Sequence, residues 1–185
     1  MKLGILIVLV TACNARLGEP VGAHLAGTDA GIDASPHPID AAAPDARGCT
    51  GGDSHATDSD GNCYLFFAGP KTFAQAKTAC VAETAHLVKI TSASQNAVVA
   101  QLSLGYDSFL GATDAVTEGT FLWQDATPLT FTLYGTGEPN NGSGMYQEDC
   151  LVMAGKRTPS DTWDDRPCTT GIVANAGAYS YVCEY

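Results

Sequence analysis

The sequence predicts an α+β domain, two helices followed by a half built of short strands and loops. Three observations predict it. Helical periodicity is confined to residues 72–104. Beyond Leu104, short apolar runs alternate with Gly, Asn, Asp and Pro, the pattern of helices and strands segregated along a chain. Six cysteines, Cys49, Cys63, Cys80, Cys150, Cys168 and Cys183, are spread across this region. In an exported chain they suggest three disulfides, with the pairing open.

Export itself is read from the first residues. Met1-Lys2 precede an apolar run, Leu3 to Val10, that is too short to span a bilayer. Val10-Thr11-Ala12-Cys13 then resembles a bacterial lipobox. Residues 1–12 therefore read as a lipoprotein signal peptide, and Cys13 as the lipidated mature N-terminus. This also accounts for the odd seventh cysteine. Asn14 does not resemble an inner-membrane retention signal. The expectation is an exported chain, lipid-anchored to a bacterial membrane (the outer membrane favoured) or to the cell surface. Residues 13–48 are rich in Ala, Pro, Asp and Gly and have neither helical nor strand periodicity. Such a stretch buries too little apolar surface to offset its ordering entropy, so it reads as a disordered tether. Residues 49–185 form the head.

Within the head, Asp58-Ser59-Asp60-Gly61-Asn62 reads as a turn, because it lacks the third acid and closing Glu of a helix-loop-helix calcium loop. Cys63 to Phe67 reads as a strand. Thr72 to Glu83 reads as a helix capped by Thr72, with Phe73, Ala76 and Cys80 on one face. His86 to Ile90 reads as a second strand, His86 being structural. Ser92 and Gln95 have capping-box spacing and open a second helix with Val98 and Leu102 turned inward. Five short apolar runs follow: Phe109–Gly111, Phe121–Trp123, Leu129–Phe131, Leu151–Met153 and Tyr179–Cys183. Trp123 and Trp163 are expected in the core.

Charge narrows the function. The chain carries 20 acidic and 9 basic residues, a net charge of −11. Nucleic acid is excluded, since binding phosphates needs clustered Lys and Arg. The acids are concentrated. Asp114, Glu118, Asp125, Glu138, Glu148, Asp149, Asp161, Asp164 and Asp165 face only Lys156 and Arg157 over the same stretch, a surplus of seven negative charges. Carboxylates crowded in loops repel one another unless a cation lies between them. A hard divalent ion with oxygen ligands suits them, and no Cys- or His-paired motif offers a zinc site. The acids lie in hydrophilic loops, without the apolar setting that keeps a general acid protonated, so no enzymatic activity is expected.

Glu138-Pro139-Asn140, Glu148-Asp149-Cys150, Trp163-Asp164-Asp165, Cys168 and the closing Cys183-Glu184 together resemble the C-type lectin domain. Phe109-Leu110-Gly111 and the run from Thr113 to Gly119 resemble it too, and are similar to long-form, collectin members of the mannose-binding type. The resemblance covers the whole head and implies a fold of two helices, two small antiparallel sheets and a long calcium-binding loop region. It implies disulfides Cys80–Cys183, Cys150–Cys168 and Cys49–Cys63, and a cis bond before Pro139. It implies one or two Ca2+ ions. The sugar-binding ion would use Glu138, Asn140, Glu148, Asp164 and Asp165. An auxiliary ion would use Asp114, Glu118, Asn141, Glu148 and Asp149, with Glu148 bridging both. The Glu-Pro-Asn order goes with mannose, fucose and N-acetylglucosamine, so the implied function is calcium-dependent binding of glycans or glycoconjugates by a membrane-tethered module. The alternative is a calcium-stabilised adhesion domain with a protein ligand and no sugar.

The chain departs from the family at Asp164, where Asn is usual. An ionised Asp cannot donate to a sugar hydroxyl, and an unmatched polar contact costs roughly 1–3 kcal/mol. The loop Gly142–Gln147 is also slightly long, and Tyr146 reads as loop packing or a ligand-stacking ring. The segment from Ala154 to Thr162 is long and polar.

Overall fold

The computed structural model describes residues 48–144, 147–169 and 177–185. The expected signal peptide and lipidated Cys13, the expected tether up to residue 47, and Tyr146 lie outside the described residues.

The head opens as a hairpin. Strand β1 (Ser54–Thr57) pairs antiparallel with β2 (Cys63–Lys71). The Asp58–Asn62 segment between them is a turn. The Asp58 carboxylate accepts from the backbone N–H groups of Asp60 and Asn62, from the Asn62 amide and from the Tyr64 hydroxyl. Four donors on one carboxylate leave it no need of a metal. Cys49–Cys63 staples this hairpin.

Helix α1 (Phe73–Ala82) is capped as its sequence directs, and carries a full capping box. Thr72 Oγ1 accepts from Gln75 N–H, and Gln75 Oε1 accepts from Thr72 N–H. Its Ala76 and Cys80 are buried. The strand expected over His86–Ile90 is shorter: β3 spans His86–Leu87 only. Val88 and Ile90 are nonetheless fully buried. The capping box at α2 (Ala93–Leu102) is only half formed. Ser92 accepts from Gln95 N–H, but the Gln95 side chain reaches Thr91, accepting from both its N–H and its hydroxyl. Thr91 offers two donors where Ser92 would offer one. The face of α2 turned inward is Asn96, Val99 and Ala100, with Val98 and Leu102 half-buried beside it.

The remaining strands are β4 (Asp107–Thr113), β5 (Leu122–Trp123), β6 (Cys150–Ala154), β7 (Trp163–Arg166) and β8 (Tyr179–Glu184). The expectation of two small antiparallel sheets is corrected here. The strands join in one mixed sheet ordered β1-β2-β8-β4-β6-β7, with β3 on β8 and β5 on β4. The join is a parallel pairing of β4 with β8, Ser108 opposite Ser180 and Phe109 opposite Tyr181. The cause lies in β8, where Ser180 to Cys183 are buried without alternation. A strand covered on both faces belongs inside a sheet. Leu129 and Phe131 pack on the core from a loop and form no strand. Cys80–Cys183 ties α1 to β8, and Cys150–Cys168 ties β6 to the segment after β7.

Trp123 and Trp163 are core residues, 3% and 0% exposed. Asn96, itself 2% exposed, decides where Trp163 sits. Its Oδ1 accepts from Trp163 Nε1 at 2.6 Å, and its Nδ2 donates to the Asp161 carbonyl at 2.8 Å. Helix α2 thereby fixes the start of β7, the strand that carries Asp164 and Asp165. Asn96→Ala leaves a buried indole N–H and a carbonyl unpaired. A loss of about 2–3 kcal/mol is expected, read in thermal melts as a drop of ~9 °C. A melt within a degree or two of wild type would show the pair to be incidental.

Candidate functional site

The site gathers from two places in the fold. Strand β7 supplies Asp164 and Asp165, fully buried at 0% and 1% exposure. The loop before β6 supplies Glu138, Asn140, Asn141 and Glu148. The Glu138–Pro139 bond is cis. After it the chain turns sharply: Asn141 and Gly142 both have positive φ, 49° and 59°. Asn tolerates that conformation and Gly favours it. A Cβ at position 142 would also lie 3.0 Å from the Glu148 side chain.

This turn hangs on Asp165. Its two oxygens accept from Asn140 N–H at 3.0 and 3.1 Å, and Oδ2 also accepts from Asn141 N–H at 2.6 Å. Asn140 Nδ2 donates to Glu138 Oε2. Asn141 Oδ1 accepts from Glu148 N–H at 2.8 Å. Ligand-type oxygens of Glu138, Asp164 and Asp165 lie within 4.8 Å of one another. Two oxygens on one calcium, each about 2.3–2.6 Å from it, are at most about 5 Å apart.

Asp164 is the most exacting member. Oδ1 has no hydrogen-bond partner. Oδ2 lies at ion-pair distance from Arg157 Nη2, 2.7 Å, and from Arg166 Nη2, yet neither contact has hydrogen-bond geometry. Burial pushes its carboxyl up to about 7, with Glu138 adding to the rise and Arg166 and Arg157 opposing it. Burial also acts to raise Glu138, but Arg157 outweighs it and holds that carboxyl below its usual range. Glu148 is raised by burial, offset in part by Arg166.

Arg166 follows directly on the acid-rich stretch that ends at Asp165 and adds positive charge to the site. Arg157 Nη1 is 2.8 Å from Glu138 Oε1, and Arg166 Nη1 is 3.9 Å from Glu148 Oε1. Of the four carboxylates Glu138, Glu148, Asp164 and Asp165, the first three lie at ion-pair distance from the two guanidinium groups. The two negative charges left over equal the charge of one divalent ion. An orphaned buried carboxylate oxygen, all-oxygen donors and that residual charge fit Ca2+.

The auxiliary group lies within electrostatic reach of Asp165. Asp114 is 4% exposed, its Oδ2 accepts from Gly119 N–H at 2.8 Å, and its Oδ1 has no partner. Burial raises its carboxyl, and Asp149 and Asp165 raise it further. Glu118 is raised by desolvation and then by Asp114, Asp149 and Asp165. Asp165 acts on both groups, whereas Glu148 faces Glu138, Asp165 and Arg166. Sequence reasoning missed Asn96, Arg166 and Tyr134. Tyr134 packs edge-on against Trp163, and its hydroxyl is pushed up to about 12 by burial and by Asp114 and Asp165. A basic residue directly after two acids was the available signal for Arg166.

Residues 69–185 match the Lectin C-type domain family, more than half of the chain. The chain belongs to the C-type lectin domain family. This is a non-enzymatic, carbohydrate-binding family whose domains typically bind Ca2+. The chain is 35% identical over 122 residues to the mouse low affinity immunoglobulin epsilon Fc receptor, covering 66% of this chain and 33% of the receptor. It is 32% identical over 136 residues to the alpha-N-acetylgalactosamine-specific lectin of Patiria pectinifera, covering 68% of this chain and 74% of that lectin. It thus spans about a third of the one relative and three quarters of the other.

Among solved structures, the cow carbohydrate-recognition domain of CD23, determined in the presence of a GlcNAc2Man3 oligosaccharide, superposes with a TM-score of 0.61 at 28% identity. That match covers 75% of this chain and 97% of the solved carbohydrate-recognition domain. A Ca2+-dependent type II antifreeze protein, in its Ca2+-free form, gives 0.57 at 29% identity, covering 68% and 93%. The same fold thus also serves a non-sugar role.

Proposed function

We propose that this domain binds hexoses of the mannose, fucose or N-acetylglucosamine type in a calcium-dependent manner. The observation that carries the reading is the convergence of Glu138, Asp164 and Asp165 on one point, beside the Asn140 amide. Calcium, when held by Glu138, Asn140, Glu148, Asp164 and Asp165, supplies a seat for two vicinal hydroxyls. Each protein group has its own part. Glu138 and Glu148 accept hydrogen bonds from those hydroxyls, and the Asn140 amide donates to one. Asp165 anchors the 138–142 turn so that these groups keep their spacing. Asp164 carries charge to the metal and donates nothing while ionised. The donor lost there is made good by Arg157, whose guanidinium stands at 2.8 Å from Glu138 and 2.7 Å from Asp164. Asp114, Glu118, Asn141, Glu148 and Asp149 would hold an auxiliary ion, which the unpartnered Asp114 Oδ1 supports.

Calorimetric titration is expected to show one or two calcium sites, and added calcium to raise the melting temperature by mass action. A flat titration with no thermal shift would sink the calcium reading. A glycan array run with calcium and with chelator tests the sugar. Chelator-sensitive retention on mannose-type sugars is expected. Retention on N-acetylgalactosamine alone would reassign specificity, and a blank array with intact calcium binding would favour a calcium-stabilised domain for a protein ligand.

We further propose that the head is exported and lipid-anchored through Cys13, the outer membrane being favoured, or else displayed at the cell surface. No helix of the described residues is long and apolar enough to cross a membrane. Mass spectrometry of the mature N-terminus would show a lipidated Cys13. An unmodified residue elsewhere at the N-terminus would refute the anchor.

A further inference from the structure

Calcium would account for the unpartnered buried oxygens of Asp114 and Asp164. Two buried side-chain nitrogens are also without a hydrogen-bond partner among the described residues, Trp123 Nε1 and Gln124 Nε2. A metal cannot satisfy them, because an N–H needs an acceptor. They are consecutive in the chain, and both residues line one recess of about 250 Å³. No proposed calcium ligand lines it. Trp163 is the contrast, since its Nε1 donates to Asn96.

Gly111 keeps the recess open. Its N–H donates to the Val88 carbonyl and its carbonyl accepts from Gln124 N–H, so β4 joins the 86–89 segment to the 123–125 turn. A Cβ at position 111 would stand 2.6 Å from the Leu87 carbonyl oxygen and 3.2 Å from Gln124 Nε2. Lys89 Nζ, the one ammonium in the lining, pairs with Asp125 at 2.7 Å and donates to Thr127 Oγ1. Its charge is matched within the wall. His86 Nδ1 lies 3.0 Å from the Leu87 carbonyl oxygen. A carbonyl oxygen only accepts, so Nδ1 carries the proton, and Nε2 of the neutral ring is left as an acceptor.

The lining thus offers two free N–H donors and one acceptor beside the apolar surface of Leu87 and Trp123. A neutral amide matches that set, since its carbonyl accepts and its N–H donates. The volume is below the about 300–1,000 Å³ usual for small-molecule sites, so it suits a substituent and not a whole oligosaccharide. A peptide amide continues as chain on both sides. An acetamido group ends in a methyl and can enter a recess end-on. We propose that this recess binds the acetamido group of an N-acetylated sugar, as a calcium-independent subsite that shares no residue with the calcium groups. The carbonyl accepts from Trp123 and Gln124, and the amide N–H donates to His86. The proposal does not rest on the calcium-dependent reading of the site at Glu138 and Asp165.

The test titrates the intact, isotope-labelled protein in chelator, which silences any calcium-dependent site. The chain has 2 Trp, so a nitrogen–proton correlation spectrum shows two indole signals, and Trp123→Phe assigns them. N-acetylglucosamine is expected to move the Trp123 signal saturably and to leave that of Trp163 in place. Glucose, which lacks the acetamido group, is expected to move neither. Gln124→Leu, at a half-buried position, is expected to weaken N-acetylglucosamine about tenfold, the yield of one hydrogen bond to a desolvated donor. His86→Ala weakens it as well. Adding calcium leaves the Trp123 curve unchanged. A Trp123 signal that N-acetylglucosamine does not move means that the recess holds water only, and overturns the subsite. An equal response to glucose overturns the assignment to the acetamido group. An equal or tighter response to N-acetylalanine methylamide overturns the sugar source in favour of a peptide. Wild-type affinity in both Gln124→Leu and His86→Ala places the ligand elsewhere, and a response that requires calcium overturns the independence of the recess. The calcium titration and glycan array judge the other reading separately.

Discussion

Replacing Asp165 by alanine is expected to abolish calcium binding, with a loss of more than about a hundredfold in affinity when one carboxylate ligand and its turn are removed together. Asp165 has two tasks at once. Its oxygens belong to the cluster with Glu138 and Asp164, and they also hold the backbone N–H groups of Asn140 and Asn141. Without it, the turn carrying Glu138 and Asn140 is no longer tied to β7. Stability in chelator is expected to fall by about 2 kcal/mol, less than the sum of the lost bonds, because removing one of several crowded carboxylates also relieves repulsion. Asp165→Asn separates the tasks. The amide oxygen can still accept from a backbone N–H, so the fold recovers most of its stability. The lost charge still weakens calcium by at least about tenfold. Calorimetry with calcium and melts in chelator read the two effects. Wild-type calcium affinity in the alanine variant would remove Asp165 from the site.

Removing the Cys80–Cys183 bridge by double alanine substitution is expected to be the most destabilising change in the domain. The two residues are 103 apart in sequence and both are 0% exposed. Constraining a loop of that length is worth about 4–5 kcal/mol through the unfolded chain. In the folded state the bridge pins α1 to β8, the strand that pairs with β2, β3 and β4. Thermal melts should fall by ~15 °C. Removing Cys49–Cys63, with a separation of 14 at the edge of the sheet, is the comparison. Its shorter loop predicts about 3 kcal/mol. Equal losses for the two bridges would show that local packing, and not chain entropy, sets their contribution.

Much of the fold was legible because its signals are local. Thr72 marks the start of α1, and Ala76 and Cys80 mark its inner face, all within three turns of chain. The turn at Asp58–Asn62 follows from residues that bond their own neighbours. Where the local reading slipped, a competing contact explains it. Gln95 turned to Thr91 for a second donor. Val88 N–H still donates to Val182 on β8, but its carbonyl accepts from Gly111 N–H on β4 and Lys89 N–H donates to the Glu184 side chain, so the β3 ladder runs no further. The sheet was less legible. Register and neighbour choice depend on which strands need cover on both faces, and the parallel step from β4 to β8 leaves no mark in either strand alone.

By itself the sequence determined the helix ends, the supply of oxygen ligands and the excess of negative charge between Asp114 and Asp165. Its motifs named the family and the disulfide pairs that implies. Only the tertiary structure decided how that charge is balanced. Arg157 comes to Glu138 from 19 residues away and Arg166 to Glu148 from the neighbouring strand, and Asn96 reaches Trp163 across 67 residues. Propensity and capping act over one or two turns of chain and can be read along it. Coulomb attraction and buried hydrogen bonding act through space, and their partners are known only once the backbone has brought them together.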